Sequence, residues 1–283
     1  MGGVSPATTH ARGLKRRTIS VIIPCLNDAT LLDRALTSLN QQTIAADEIL
    51  VVDNGSTDDS AEVAKRHGAW VVAEPRRGIT WATQTGFNNA SGDILFRTDA
   101  DIVAPSDLIA KMHAAWNAAD LSQRAAGARE VVAVTGTATF ELPAPWDRIA
   151  SKSYVGAYRS STKSALGHNP MFGTLYSIRA SWWHTVKESV DFSDTFVHED
   201  MHLSFQVRPT QTVWYQDNLE VVMDGRALFG AKQVMTRFKR GFHTMFTNFR
   251  TQSPPIRLSQ RGLLPRRIAQ AVMHELERKE QHQ

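Results

Sequence analysis

The chain has one cysteine, Cys25, among 283 residues. A single thiol excludes an internal disulfide framework and favours a reducing compartment. Cys25 closes an apolar, β-branched run, where a small buried residue is expected rather than a nucleophile. No apolar run reaches the roughly 18 to 20 residues of a membrane span. Residues 1–17 are small, polar and basic and lack the apolar middle of a secretory signal. They are expected to form a disordered basic tail on a cytoplasmic protein, with peripheral contact at the inner face of the membrane left open. The net charge of +4 is too small to argue for a nucleic-acid partner. There is no cysteine cluster for zinc, no nucleophile elbow, and no Gly-rich phosphate loop of the Walker or dinucleotide type.

What is present is a core-forming composition, 42% hydrophobic and 21% charged. The first half alternates strand and helix patterns. Strands are predicted at Ile19 to Pro24, Glu48 to Asp53, Trp70 to Ala73 and Ile94 to Asp99. Helices are predicted at Thr30 to Gln42, Asp59 to His67, Thr80 to Ala90 and Pro105 to Ala119. This rhythm predicts an α/β fold built on a mainly parallel sheet with helices on both faces. Ligands of such sheets bind beyond the carboxyl ends of the strands, where Asp53 and Asp99 lie. The second half is less regular. It reads as strands at Val131 to Phe140, Phe172 to Ile178, Val213 to Gln216 and Leu219 to Met223, with helices at Trp146 to Tyr158, Ala231 to Arg250 and Pro265 to Gln281. Pro254-Pro255 reads as a break. The face carrying Phe238, Phe242, Met245, Phe246 and Phe249 reads as core, with an interfacial role as the alternative. Acids are sparse between Arg226 and Arg267 while Arg and Lys recur; a solvated face is the default there.

The strongest local chemical signal is Asp99-Ala100-Asp101. Two carboxylates one residue apart at a strand end suit a hard dication such as Mg²⁺ or Mn²⁺, with substrate phosphates completing the shell. A solvated acidic turn is the competing reading. A second acidic pair stands in His198-Glu199-Asp200, where N-capping of the following helix is the competing reading.

Four ordered blocks give these motifs context. They are Ser20-Val21-Ile22-Ile23-Pro24-Cys25-Leu26-Asn27-Asp28, Val51-Val52-Asp53-Asn54-Gly55-Ser56-Thr57-Asp58, Gly86-Phe87-Asn88-Asn89-Ala90-Ser91-Gly92-Asp93 and Thr98-Asp99-Ala100-Asp101. In this order and spacing the chain resembles the family-2 glycosyltransferases of the GT-A fold over about residues 18 to 110. Asp28 departs from the glutamate common there. The resemblance implies a GT-A type fold with a nucleotide-sugar-binding half at 18–125, an acceptor-binding and catalytic-base half at 126–225, and a C-terminal basic helical region at 226–283. It implies that Pro24, Asn27, Asp53, Arg77, Gly78 and Asp99 meet the nucleotide sugar, and that Asp101 with Asp99 holds Mn²⁺ or Mg²⁺. Asp200 is implied as the general base, with Glu199 as the alternate. His198, Arg237 and Arg240 are candidates for diphosphate or acceptor contact. Gln233-x-x-x-Arg237-Phe238 departs from the Gln-x-x-Arg-Trp signature of processive relatives, which argues against processive synthesis.

The expected reaction is inverting sugar transfer from a nucleotide diphosphate sugar, uridine favoured over guanosine, to a glycan, lipid-linked or small-molecule hydroxyl. A sugar-phosphate nucleotidyltransferase would need a Gly-rich loop where Pro24-Cys25-Leu26-Asn27 stands. A non-catalytic nucleotide-sugar-binding module would not need the full acidic set.

Overall fold

The computed structural model describes residues 16–280. The expected basic tail therefore lies outside the described residues up to residue 15. The first half matches the predicted rhythm. Strands β1 (Ile19–Cys25), β2 (Glu48–Asp53), β3 (Trp70–Ala73) and β4 (Ile94–Thr98) alternate with helices α1 (Ala29–Asn40), α2 (Ser60–Arg66) and α3 (Ile79–Asn89). The β1 and β4 runs are buried along their whole length, as an apolar strand covered on both faces must be. Helix α3 packs close to this sheet: a Cβ at Gly86 would collide with Ile22, so only glycine permits that approach.

The remaining elements are β5 (Ile102–Val103), α4 (Leu108–Ser122), β6 (Glu130–Phe140), α5 (Trp146–Leu166), β7 (Leu175–Arg179), α6 (Ala180–Val186), α7 (Glu199–Ser204), β8 (Gln211–Met223), α8 (Ala231–Phe249), α9 (Pro254–Gln260) and α10 (Arg266–Glu280). One eight-stranded sheet runs β3-β2-β1-β4-β7-β6-β8-β5. The β3-β2-β1-β4 half is parallel; β7 is antiparallel to β4 and to β6, and β8 is parallel to β6. The chain leaves β1 toward β2 and β3, then returns to the other side of β1 as β4. That reversal is the switch point at which α/β sheets bind ligands.

Two expectations are corrected. The two short strands expected at 213–216 and 219–223 are one strand, β8, because pairing with β6 continues through a register shift. The break expected at Pro254-Pro255 is present, between α8 and α9, and the prolines open α9, where a first-turn proline has no hydrogen bond to lose. The aromatic face of α8 is not core. Phe238, Phe242 and Phe246 are 60%, 55% and 66% exposed. The cause is how α8 docks. Its buried side is polar: Thr244 Oγ1 accepts from the His198 backbone N–H at 2.8 Å, and Asn248 Nδ2 donates to His202 Nδ1 at 2.9 Å. Met245 and Phe249 alone among the expected face pack inward, against Leu166, Met201 and Phe205.

Candidate active site

Two pairings carry distant residues to the switch point. The antiparallel β4–β7 ladder sets Thr98 opposite Leu175, bringing Phe172 to Thr174 beside Arg97 and Asp99. The short β5 pairs with the end of β8, Ile102 opposite Met223, and the Asp224 N–H donates to the Asp101 carbonyl at 3.0 Å. The loop after β8 is thereby clipped beside Asp101. The result is a cavity of about 810 Å³ at the carboxyl ends of β1 and β4. This lies within the usual range for small-molecule sites, about 300–1,000 Å³. Its wall includes Pro24, Asp28, Arg77, Gly78, Asp99, Asp101, His198, Glu199, Asp200, Arg226, Arg237 and Arg240.

Arg97 organises the acids from behind. It is a charge inside a fully buried strand, 3% exposed, and needs buried partners. Its Nη1 donates to Asp99 Oδ1 at 2.6 Å and to the Gly173 carbonyl, and Nη2 lies 3.0 Å from Glu199 Oε1. Burial works against its charge, yet the carboxylates of Asp99 and Glu199 hold it firmly protonated. Burial raises the pKa of Glu199 itself, against the pull of Arg97. Arg97 Nε and Tyr176 Oη are buried without a hydrogen-bond partner among the described residues. Buried polar atoms left so are uncommon in folded proteins.

Asp200 is pinned differently. Oδ2 accepts from the Gly173 N–H at 2.7 Å and from Tyr158 Oη at 3.2 Å; Oδ1 accepts from the Met201 N–H at 2.7 Å. A Cβ on Gly173 would lie 3.1 Å from Asp200 Oδ2, so this close approach depends on glycine. Asp200 lies in the first turn of α7 and remains only 7% exposed, within the cavity wall.

Asp101 faces a third arrangement. Burial and the neighbouring Asp99 push its carboxyl up to about 6, and Arg226 opposes them. Arg226 Nε donates to Asp101 Oδ2 at 3.0 Å, while Nη1 and Nη2 donate to the two Asp28 oxygens at 2.6 and 2.9 Å. Among the described residues no group of three or more His, Cys, Asp or Glu side chains is arranged to hold a metal. The chemistry of Asp99 and Asp101 still fits a hard dication. Both offer carboxylate oxygens at the strand end, and the crowding of acids around Asp101 already calls for a compensating positive charge.

Of the expected nucleotide contacts, Pro24, Arg77, Gly78 and Asp99 line the cavity, whereas Asn27 and Asp53 do not. Asn27 Oδ1 accepts from the Thr57 N–H at 2.7 Å and Asp53 Oδ1 from the Ser56 N–H at 2.9 Å, tying the turns after β1 and β2. Asn54 lines the cavity in their stead. Its buried amide donates to the Glu74 and Arg76 carbonyls and accepts from the Gly78 N–H, holding the loop that carries Arg77. His198 Nε2 meets the Arg237 carbonyl at 3.0 Å, and Arg240 Nη2 donates to the Val197 carbonyl at 2.7 Å; both tie α8 to the start of α7. The side chain of Gln233 lies outside the described residues. Sequence reasoning gave no role to Arg97, Arg226, Tyr158 or Gly173. Only Arg97 carried a signal, as an arginine inside an apolar strand.

Residues 20–139 match the family model described as Glycosyl transferase family 2. An uncharacterized glycosyltransferase of Mycobacterium tuberculosis is 45% identical over 83 residues, covering 29% of this chain and 36% of that protein. The undecaprenyl-phosphate 4-deoxy-4-formamido-L-arabinose transferase of Edwardsiella ictaluri is 36% identical over 108 residues, covering 33% and 32%. The matched segment thus spans about a third of the length of these curated relatives. In fold, the chain is similar to a mannosyltransferase from Pyrobaculum calidifontis solved with GDP-Man and Mn²⁺, at a TM-score of 0.62 and 21% identity, covering 92% of this chain and 75% of that one. It is also similar to the glucosyl-3-phosphoglycerate synthase of M. tuberculosis solved with Mn²⁺, UDP and phosphoglyceric acid, at a TM-score of 0.51 and 18% identity, covering 82% and 78%. Residues 20–139 thus carry the likeness to glycosyl transferase family 2, and the eight-stranded sheet with flanking helices is a GT-A type fold.

Proposed function

We propose that the chain is an inverting, non-processive glycosyltransferase that moves a sugar from a nucleotide diphosphate sugar, uridine favoured over guanosine, to an acceptor hydroxyl. The observation that carries this reading is the convergence of Asp99 and Asp101 with Glu199 and Asp200 in one cavity at the switch point. The likeness to folds solved with Mn²⁺ and nucleotide ligands supports the same reading.

In this account Pro24, Arg77 and Gly78 hold the nucleotide, and Asp99 meets the ribose. Asp53 and Asn27, outside the cavity wall, act on this reading by fixing the turns after β2 and β1. Asp99 and Asp101 hold the dication, Mn²⁺ or Mg²⁺. When bound, that ion offsets the negative charge on the departing diphosphate. The acceptor oxygen attacks the anomeric carbon as the bond to the diphosphate oxygen breaks. The hydroxyl proton passes to a carboxylate of this chain, and Asp200 is the assigned base. Its three hydrogen bonds fix its direction and leave lone pairs on Oδ1. Glu199 is the weaker choice because it faces Arg97. His198, Arg237 and Arg240 line the same wall and are placed to meet diphosphate or acceptor.

The test is nucleoside diphosphate release from UDP- and GDP-sugars with Mn²⁺ or Mg²⁺, for the unaltered protein and for Asp101→Ala and Asp200→Asn. Release that needs the cation and is suppressed in both variants is expected. Release of pyrophosphate from a nucleoside triphosphate and sugar phosphate would indicate a nucleotidyltransferase instead. Donor binding with no turnover over any acceptor would indicate a binding module. Partners on this reading are the donor and a glycan, lipid-linked or small-molecule acceptor.

A further inference from the structure

Helix α8 is amphipathic with its apolar side turned to solvent. Phe238, Phe242 and Phe246 recur every four residues, so they stack along one stripe of the helix. Met235, three residues before Phe238, continues the stripe at 56% exposure, and Phe229, just before the helix, is 62% exposed. The opposite side, with Thr244 and Asn248, is buried against α7 by hydrogen bonds. A helix that only covered a core would be turned the other way. A row of exposed aromatics of this extent marks a contact surface rather than ordinary solvent exposure.

We propose that this stripe docks the protein on the surface of an anionic lipid bilayer. The aromatic side chains enter the interface, and Lys239 and Arg250 on the shoulder of the stripe, both exposed, meet the lipid phosphates. Charge selects this occupant. No acidic residue occurs between Asp224 and Glu275, while Lys and Arg recur throughout that stretch. A second copy of the chain docking through the same stripe would bring two sets of these cations together, which like charges oppose. Farther round the helix on the same side, Lys232, Thr236, Arg237 and Arg240 line the cavity. Docking therefore sets the mouth of the site at the headgroup layer. The inference does not rest on the transferase reading, because lipid binding is measured without donor or acceptor.

The experiment is co-sedimentation of the full chain with phosphatidylglycerol-containing vesicles and with pure phosphatidylcholine vesicles. Partition onto the anionic vesicles is expected to be about tenfold stronger and to fall as salt is raised. Phe238→Ser/Phe242→Ser/Phe246→Ser is expected to lower it by about tenfold or more, and Lys239→Glu/Arg250→Glu by several-fold. Both sets change exposed side chains, so the melting temperature should be kept; the basic pair retains the test if the aromatic triple variant fails to fold. No binding to anionic vesicles at low salt, or equal binding by wild type and both variants, would overturn the proposal. So would a dimer in light scattering that the aromatic substitutions dissociate.

Discussion

The guanidinium of Arg226 joins Asp28 to Asp101, with donor–acceptor distances of 2.6 and 2.9 Å to the first and 3.0 Å to the second. It thereby places a side-chain cation on the carboxylate assigned to the metal. A dication arriving at Asp101 must compete with it. Arg226→Met is expected to tighten Mn²⁺ binding in the absence of donor by about three- to tenfold, since a half-exposed ion pair is worth on the order of 1 kcal/mol. Titration of free Mn²⁺ by electron paramagnetic resonance reads this directly. Unchanged affinity would show that the pair does not oppose the ion.

Arg97 holds Asp99 and Glu199 with two separate arms. Arg97→Met leaves two buried carboxylates without that charge and is expected to cost about 3–5 kcal/mol of stability. Urea denaturation measures it. Adding Glu199→Gln to Arg97→Met should recover part of the loss, because the second substitution removes one of the orphaned charges. A simple sum of the two single effects would refute the coupling.

Asp200→Asn is expected to lower kcat by about 10²- to 10⁴-fold, the range for a positioned base, with donor KM within a few-fold of wild type. Tyr158→Phe removes one of the hydrogen bonds that orient Asp200. Its effect should be smaller and confined to kcat. Steady-state kinetics with saturating cation separates the two. A larger loss in Glu199→Gln than in Asp200→Asn would reassign the base to Glu199.

His168 is buried as a neutral ring. Nδ1 donates to the Asn169 carbonyl at 2.7 Å, and Nε2 accepts a hydrogen bond from Arg257 Nη2 at 3.2 Å. Burial first, then Arg261 and Arg257, press its pKa down from 6.5 to about 3. The unfolded chain gains a proton as pH falls below 6.5, while the folded chain stays unprotonated at this ring until about 3. Stability therefore falls on acidification across that window, by at most about 1.4 kcal/mol per pH unit for this group. Melts of wild type and His168→Gln from pH 7 to 5 should show a shallower decline in the variant. Parallel declines would mean that His168 does not contribute.

The parallel half of the sheet was legible because buried strands and amphipathic helices write their periods into the chain, as in Ile19–Cys25 and Ala29–Asn40. Asp99, Asp101 and Asp200 were legible as acids at element ends. Their partners were not. Arg97 meets Glu199 only because β7 inserts antiparallel beside β4, and Arg226 meets Asp101 only because the two residues of β5 pair with β8. Pairing between segments a hundred residues apart leaves no local pattern. The outward turn of α8 escaped for a related reason. Its aromatic spacing is that of a core helix, and the hydrogen bonds from Thr244 and Asn248 that reverse it depend on α7.

The most direct test of the transferase account is nucleoside diphosphate release by the purified chain with UDP- and GDP-sugars, with Mn²⁺ and then with the cation chelated. The account predicts release that stops on chelation and falls at least about 10²-fold in Asp101→Ala, as expected when the ion that offsets the leaving group's charge is lost. Undiminished release by Asp101→Ala, or release indifferent to chelation, would contradict it.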